Sequence, residues 1–159
     1  MKSSSQVTAV APESRNILAV TPSVEDHTRL ASILNLAASL HPHTTQWKLS
    51  GAMTLACAIT ALDKADYSVV LCESELGIHG WKDLIECTET RSNPPSLIVT
   101  SQNANERLWA EALNRGAYDV LAKPFSPSEV IRAVELAGLR WQRQGQLGSS
   151  SNRQTAVAG

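Results

Sequence analysis

Thr100 and Ser101 close the apolar run Leu97-Ile-Val, and Lys123, followed by Pro124 and Phe125, closes the run Asp119-Val-Leu-Ala122. If both runs are strands of an open parallel sheet, their ends lie side by side at its carboxyl edge, where such sheets place their sites. An alcohol and an ammonium that converge there suit an anion, either a phosphoryl group or a carboxylate. The two hydroxyls would serve equally well as strand-end groups bonded to backbone. Only the partnership with Lys123 lifts the anion reading above that one.

The elements that would position these groups alternate along the chain. Asn16–Val20 is a short apolar run and reads as a buried strand. Ser23 is a helix N-cap with Glu25 and Asp26 in the first turn, where the helix dipole favours acids. Leu30, Ile33, Leu34, Ala37 and Leu40 then recur at helical spacing until His41-Pro42-His43 breaks the pattern. Thr45–Leu49 alternates like an edge strand, and Ser50 is expected to open a second helix carrying Met53, Ala56, Cys57, Thr60 and Ala61.

Tyr67–Cys72 is the third strand, and a loop marked by Gly77 and Gly80 leads to a helix with Trp81, Leu84 and Ile85. Ser96–Thr100 is the fourth strand. Its helix carries Leu108, Trp109, Ala112, Leu113 and Gly116 on one stripe, and Asp119–Ala122 is the fifth strand. Ser126-Pro127-Ser128-Glu129 is a capping box with proline at the first helical position, and the last helix is expected to end near Arg143. Five strands alternating with five helices give an α/β, flavodoxin-like, doubly wound parallel sheet of order 2-1-3-4-5. It is expected over residues 15–143, between disordered tails at 1–14 and 144–159.

With 159 residues, 14 basic and 15 acidic, the chain has a net charge of −1. That balance carries no footprint for nucleic acid and argues against a polybasic membrane anchor. No apolar run is long enough to span a bilayer, and the first residues lack the core of a signal peptide, so the cytoplasm is the expected compartment. Cys57, Cys72 and Cys87 are odd in number and widely spaced, which argues against a disulfide framework or zinc site. Cys57 and Cys72 read as small core residues.

This layout, with Gly116-Ala-Tyr-Asp-Val-Leu-Ala-Lys123-Pro124-Phe125 and a capping box behind it, resembles the receiver domain of two-component response regulators. The resemblance covers roughly residues 15–140, and Tyr67–Ile85 resembles the phosphoacceptor strand, loop and helix. It implies that Thr100 is the switch hydroxyl and that the Lys123–Pro124 peptide is cis. In the family, an aspartate at the end of the third strand takes a phosphoryl group from a histidine kinase. Two acids after the first strand hold the magnesium that transfer requires, and an aromatic residue on the fifth strand acts as a switch.

The chain departs from that pattern. The acceptor position holds Glu73, the acid pair aligns with Thr21 and Pro22, and the aromatic position holds Val120. Tyr118, two residues earlier, would share a face of the strand with Val120. Magnesium takes oxygen ligands from one or two carboxylates plus phosphate and water. Glu73 offers one carboxylate and Glu75 a backbone carbonyl, while Glu25 and Asp26 lie a turn too far along the helix to replace the missing pair. Magnesium binding is therefore expected to be weak or absent, and no other cofactor is implied. Glu73 is instead expected to pair with Lys123.

The resulting expectation is a stand-alone receiver of the phosphorelay type, not an enzyme, that is not phosphorylated and works through protein contacts. Its partner would be a histidine kinase or a downstream signalling protein. The surface of the fourth helix, fifth strand and fifth helix, with Trp109 and Tyr118 as interface candidates, would take that partner or a second copy. Two alternatives stand beside it: a working phosphoacceptor using Glu73 or a neighbour such as Ser74, and a small flavodoxin-like ligand-binder. The latter would lack the glycine-rich phosphate loop of nucleotide sites. His27, His41, His43 and His79 are scattered; His41 and His43 flank a proline and read as a solvated turn, and His79 with Glu73 and Glu75 lacks the nucleophile and pocket that acid–base catalysis needs.

Overall fold

A computed structural model describes residues 14–42, 45–78 and 80–157, with side chains placed to residue 148. The expected tail at 1–13, and His43 and His79, lie outside the described residues. Five parallel strands, β1 (Ser14–Val20), β2 (Gln46–Ala52), β3 (Val69–Glu73), β4 (Ser96–Ser101) and β5 (Asp119–Ala122), form one sheet in the order β2-β1-β3-β4-β5. The connecting helices are α1 (Val24–Leu40), α2 (Leu55–Lys64), α3 (Trp81–Glu89), α4 (Glu106–Asn114) and α5 (Pro127–Val157). The fold class and strand order are those the sequence predicts.

Every residue of β3 and β4 is buried, as continuous apolar runs in a sheet covered on both faces require. Strand alternation splits the core in two. Leu18, Val20, Val70, Leu97 and Val99 face α2, α3 and α4, whereas Ile17, Ala19, Val69, Leu71 and Ile98 face α1 and α5. Burying each valine, leucine or isoleucine among them contributes roughly 1.5–3 kcal/mol.

Strand ends shift by one or two residues at β3 and β4, and three larger differences from expectation change the packing. Ser50 does not open the second helix. Residues 50–52 extend β2, with Gly51 opposite Ala19 and Ala52 opposite Val20, and Thr54 caps α2 by accepting from the Cys57 backbone N–H at 3.1 Å. Pairing with β1 overrides the helical pattern, and glycine at 51 leaves room for the His27 ring, from which a Cβ there would lie 2.9 Å. As a result Met53 and Cys57 are exposed and α2 buries Ala58 and Leu62; only Cys72 behaves as a core thiol.

Ser14, assigned to the tail, opens β1 opposite Gln46. The last helix passes Arg143 and runs to Val157, through the segment expected to be disordered. Gly145 and Gly148 each cost a helix about 1 kcal/mol, less than the penalty of about 3 kcal/mol that a proline would impose. Along α5, Arg15 reaches from β1 to the Gln142 side chain at 2.5 Å, and Trp141 Nε1 donates to the Asn93 carbonyl at 3.3 Å.

Candidate functional site at the carboxyl edge

The strand ends are level. Glu73 faces Thr100 across β3 and β4, and Ser101 faces Ala122 across β4 and β5. Two backbone bonds carry the ladder beyond the strands: Ser74 N donates to Thr100 O at 2.8 Å, and Lys123 N to Ser101 O at 2.9 Å. Thr100, Ser101, Glu73 and Lys123 thus share one edge, and the Lys123–Pro124 peptide is cis.

The Lys123 ammonium is hydrogen-bonded to the Glu73 carboxylate, as the sequence predicts. A second acid also reaches it: Asp26 Oδ2 lies 2.5 Å from Nζ. The side chains of Lys123 and Glu73 are each 10% exposed and that of Asp26 is 19% exposed. Burial alone would lower the pKa of Lys123. The Asp26 and Glu73 carboxylates outweigh that, so it stands above the ordinary lysine value.

Asp26 is therefore not a turn too far. Helix α1 starts at the carboxyl edge, and its Cα–Cβ bonds tilt toward its N-terminus, which aims a first-turn side chain back over the sheet. The residues before it fix that turn. Ser23 Oγ accepts from the Asp26 backbone N–H at 3.2 Å, Thr21 Oγ1 accepts from Ser23 N at 3.1 Å, and the Thr21 hydroxyl donates to Asp26 Oδ2 at 3.5 Å. Thr21, at an acid-pair position, thus supports a carboxylate without supplying one. Pro22, at the other, is exposed and lines an apolar cleft.

Ser101 Oγ accepts from the Asn103 backbone N–H at 3.0 Å, which is the strand-end bond of the alternative reading. Thr100 is buried, and its hydroxyl makes no hydrogen bond to Lys123 or Glu73. Next to the site, burial, with the Glu73 charge as a lesser cause, pushes the Cys72 thiol up to about 12.

Val120 is buried against the core beneath α2, α3 and α4, whereas Tyr118 packs on the α1 and α5 side, with Arg140 5.3 Å from its ring centre. The two do not share a face. Tyr118 precedes the first residue of β5, so strand alternation does not govern it. Trp109 is 38% exposed, and Leu113 on the same helix is 50% exposed, so the expected stripe of α4 buries only Ala112 fully.

Among known proteins, the family model described as the response regulator receiver domain matches residues 23–135. Curated protein sequences include no match. Solved structures with this fold include a CheY-like response regulator receiver domain protein from Methanospirillum hungatei JF-1. It is 15% identical, with a TM-score of 0.67, over 82% of this chain and 98% of that one. The signal receiver domain of an HD domain-containing protein from Pseudomonas fluorescens Pf-5 is 20% identical, with a TM-score of 0.69, over 82% and 99%. NtrX from Brucella abortus, solved with ADP, is 21% identical, with a TM-score of 0.73, over 89% of this chain but 30% of its own. With the family model spanning most of the chain over a level sheet edge built around Lys123, the chain belongs to the response regulator receiver domain family.

Proposed function

We propose that this receiver signals through protein contacts without accepting a phosphoryl group by the metal-dependent route. The observation that carries the reading is the Lys123 ammonium bridged between the Glu73 and Asp26 carboxylates. A lysine so engaged has little charge left for a phosphate. Both carboxylates spend an oxygen on that ammonium, and among the described residues no three acidic, histidine or cysteine side chains converge to hold a metal. The donor set does not fit magnesium, which needs more oxygen ligands than the pair leaves free.

Glu73 is also one methylene longer than aspartate. It would carry an attacking oxygen out of line, and an error of about 1 Å can cost a hundredfold in rate. Glu73 thereby stands statically where other receivers place a transient charge. The partner surface on this reading is the face of α4, β5 and α5, where Trp109, Leu113 and Leu136 are exposed and where a histidine kinase, a downstream protein or a second copy would bind.

Asp26 favours one rival, because it adds a carboxylate that the aligned acid positions lack. On that reading Glu73 or Ser74 is the phosphoacceptor and Asp26 helps hold magnesium. Intact mass after incubation with acetyl phosphate and magnesium separates the two. An unchanged mass supports the silent site, and gain of one phosphoryl group, lost in Glu73→Gln or in Ser74→Ala, supports the rival and names the acceptor.

A further inference from the structure

The sheet has two edges, and they differ. β5 is four residues long and is followed at once by Lys123 and Pro124. Shortness, lysine and proline are the devices that keep an edge strand from pairing with a neighbour. β2, at the other edge, is seven residues long, pairs with β1 along its whole length without a bulge and contains no proline. Its one charged residue is Lys48.

One bond sets the backbone directions along β2. The Ala52 carbonyl accepts from Thr21 N at 3.0 Å, so Ala52 turns its backbone groups toward β1. Those groups alternate sides along a strand, so Ser50, Lys48 and Gln46 also point to β1, while Gly51, Leu49 and Trp47 point outward. The outward N–H and C=O groups make no hydrogen bond among the described residues. Gly51 is exposed and Trp47 and Leu49 are half-buried, so the row is open. An apolar cleft takes many shapes, but a free row of amides and carbonyls takes an extended backbone.

The residues of β2 suit a copy of themselves. About a two-fold axis through Leu49, an antiparallel copy sets Leu49 opposite Leu49 and Trp47 opposite Gly51. These are the residues whose groups point outward, so each facing pair exchanges both of its N–H···O bonds. The Trp47 indole meets no Cβ across the axis, and Lys48 falls opposite Ser50, so no like charges face each other directly. A register moved by one residue would set outward groups against inward ones and lose the ladder. We infer that the chain forms a two-fold dimer through the outer edges of two β2 strands, joining both sheets into one. β2 and β5 are opposite edges, so both copies keep the α4, β5 and α5 face open, and a partner meets two such faces at once. The inference goes beyond the protein-contact reading and concerns a different edge, so either fails without the other.

The test is sedimentation of the full chain over a dilution series, which is expected to show a reversible dimer. Leu49→Lys brings two ammonium groups together on the axis and is expected to raise the dissociation constant at least tenfold, with circular dichroism unchanged. Crosslinking keeps the test decisive if that variant does not fold. Facing residues of a hydrogen-bonded antiparallel pair have Cα atoms about 5.5 Å apart, within the span of a disulfide. With the exposed Cys57 and Cys87 replaced by serine, Leu49→Cys is expected to give a covalent dimer under mild oxidation, and Trp109→Cys on α4 is not. A full chain that stays monomeric, whether the edge is bare or covered by the chain's own first residues, overturns the proposal. So does a dimer that a folded Leu49→Lys leaves intact, or one that crosslinks through Trp109→Cys and not through Leu49→Cys.

Discussion

Asp26 and Lys123 stand 97 positions apart in the chain and 2.5 Å apart in space. Their contact ties the first turn of α1 to the turn between β5 and α5, while Glu73 ties the same ammonium to β3. Three elements at the carboxyl edge therefore share one cation. The two acids do not contribute alike, because Glu73 is the more enclosed of the two.

Lys123→Met is expected to be the most damaging change at this cluster. It leaves two enclosed carboxylates side by side without a cation, and breaking a buried pair in this way costs about 3–5 kcal/mol. Asp26→Asn leaves Lys123 still bonded to Glu73 and should cost less, about 1.5–3 kcal/mol, the range for one hydrogen bond to a charged group. Urea unfolding of both variants checks the order. Equal losses would show that Asp26 carries the whole cluster.

The raised pKa of Lys123 sets a pH dependence of known sign. A base whose folded-state value lies above its unfolded value binds its proton more tightly when folded. Its contribution is complete below the ordinary lysine value of about 10.4 and is lost as pH rises through the raised one. Thermal unfolding of the native chain should therefore fall away above that pH more steeply than that of Lys123→Met. Parallel curves for the two proteins would show that the ammonium does not contribute.

Most of the fold could be read from sequence because local signals and the sheet agree. Continuous apolar runs predicted β3 and β4, and Ser23 capped α1 as expected. Two of the misreadings, the end of β2 and the reach of Asp26, fell where a long-range contact decided the outcome. Ser50 and Gly51 carry no strand signal of their own and join β2 only through pairing with β1. Asp26 was legible as a first-turn acid, yet spacing along the chain hid its distance to Lys123. The tilt of helical side chains toward the N-terminus was the available clue.

Gly138 lies in mid-helix, where alanine would ordinarily stabilise by about 1 kcal/mol. A Cβ at this position would lie 2.6 Å from Trp47 Cη2 and 3.0 Å from Arg15 Nη1. Displacing a partly buried indole and the guanidinium, whose carbon lies 6.0 Å from that ring's centre, should cost about 1–3 kcal/mol and outweigh the helical gain. Gly138→Ala is expected to lower the melting temperature. Gly148→Ala, whose Cβ would meet nothing within 4 Å, is expected to leave it unchanged or raise it slightly. Calorimetry of the pair isolates the packing of α5 on β1 and β2 from helix propensity.

The three thiols should separate by reactivity. The thiolate is the reacting species, so a thiol held near 12 and sealed in the core is inert at neutral or mildly alkaline pH. Cys57 and Cys87 are exposed, and Cys72 is fully buried beside Glu73. Titration with a thiol-specific chromogenic reagent at pH 8 is expected to count two groups in the native protein and three in guanidinium. Because Cys72 precedes Glu73 on β3, slow appearance of the third group in Lys123→Met under native conditions would report local opening of the strand end beneath the cluster. Equal protection in native and variant protein would place that opening elsewhere.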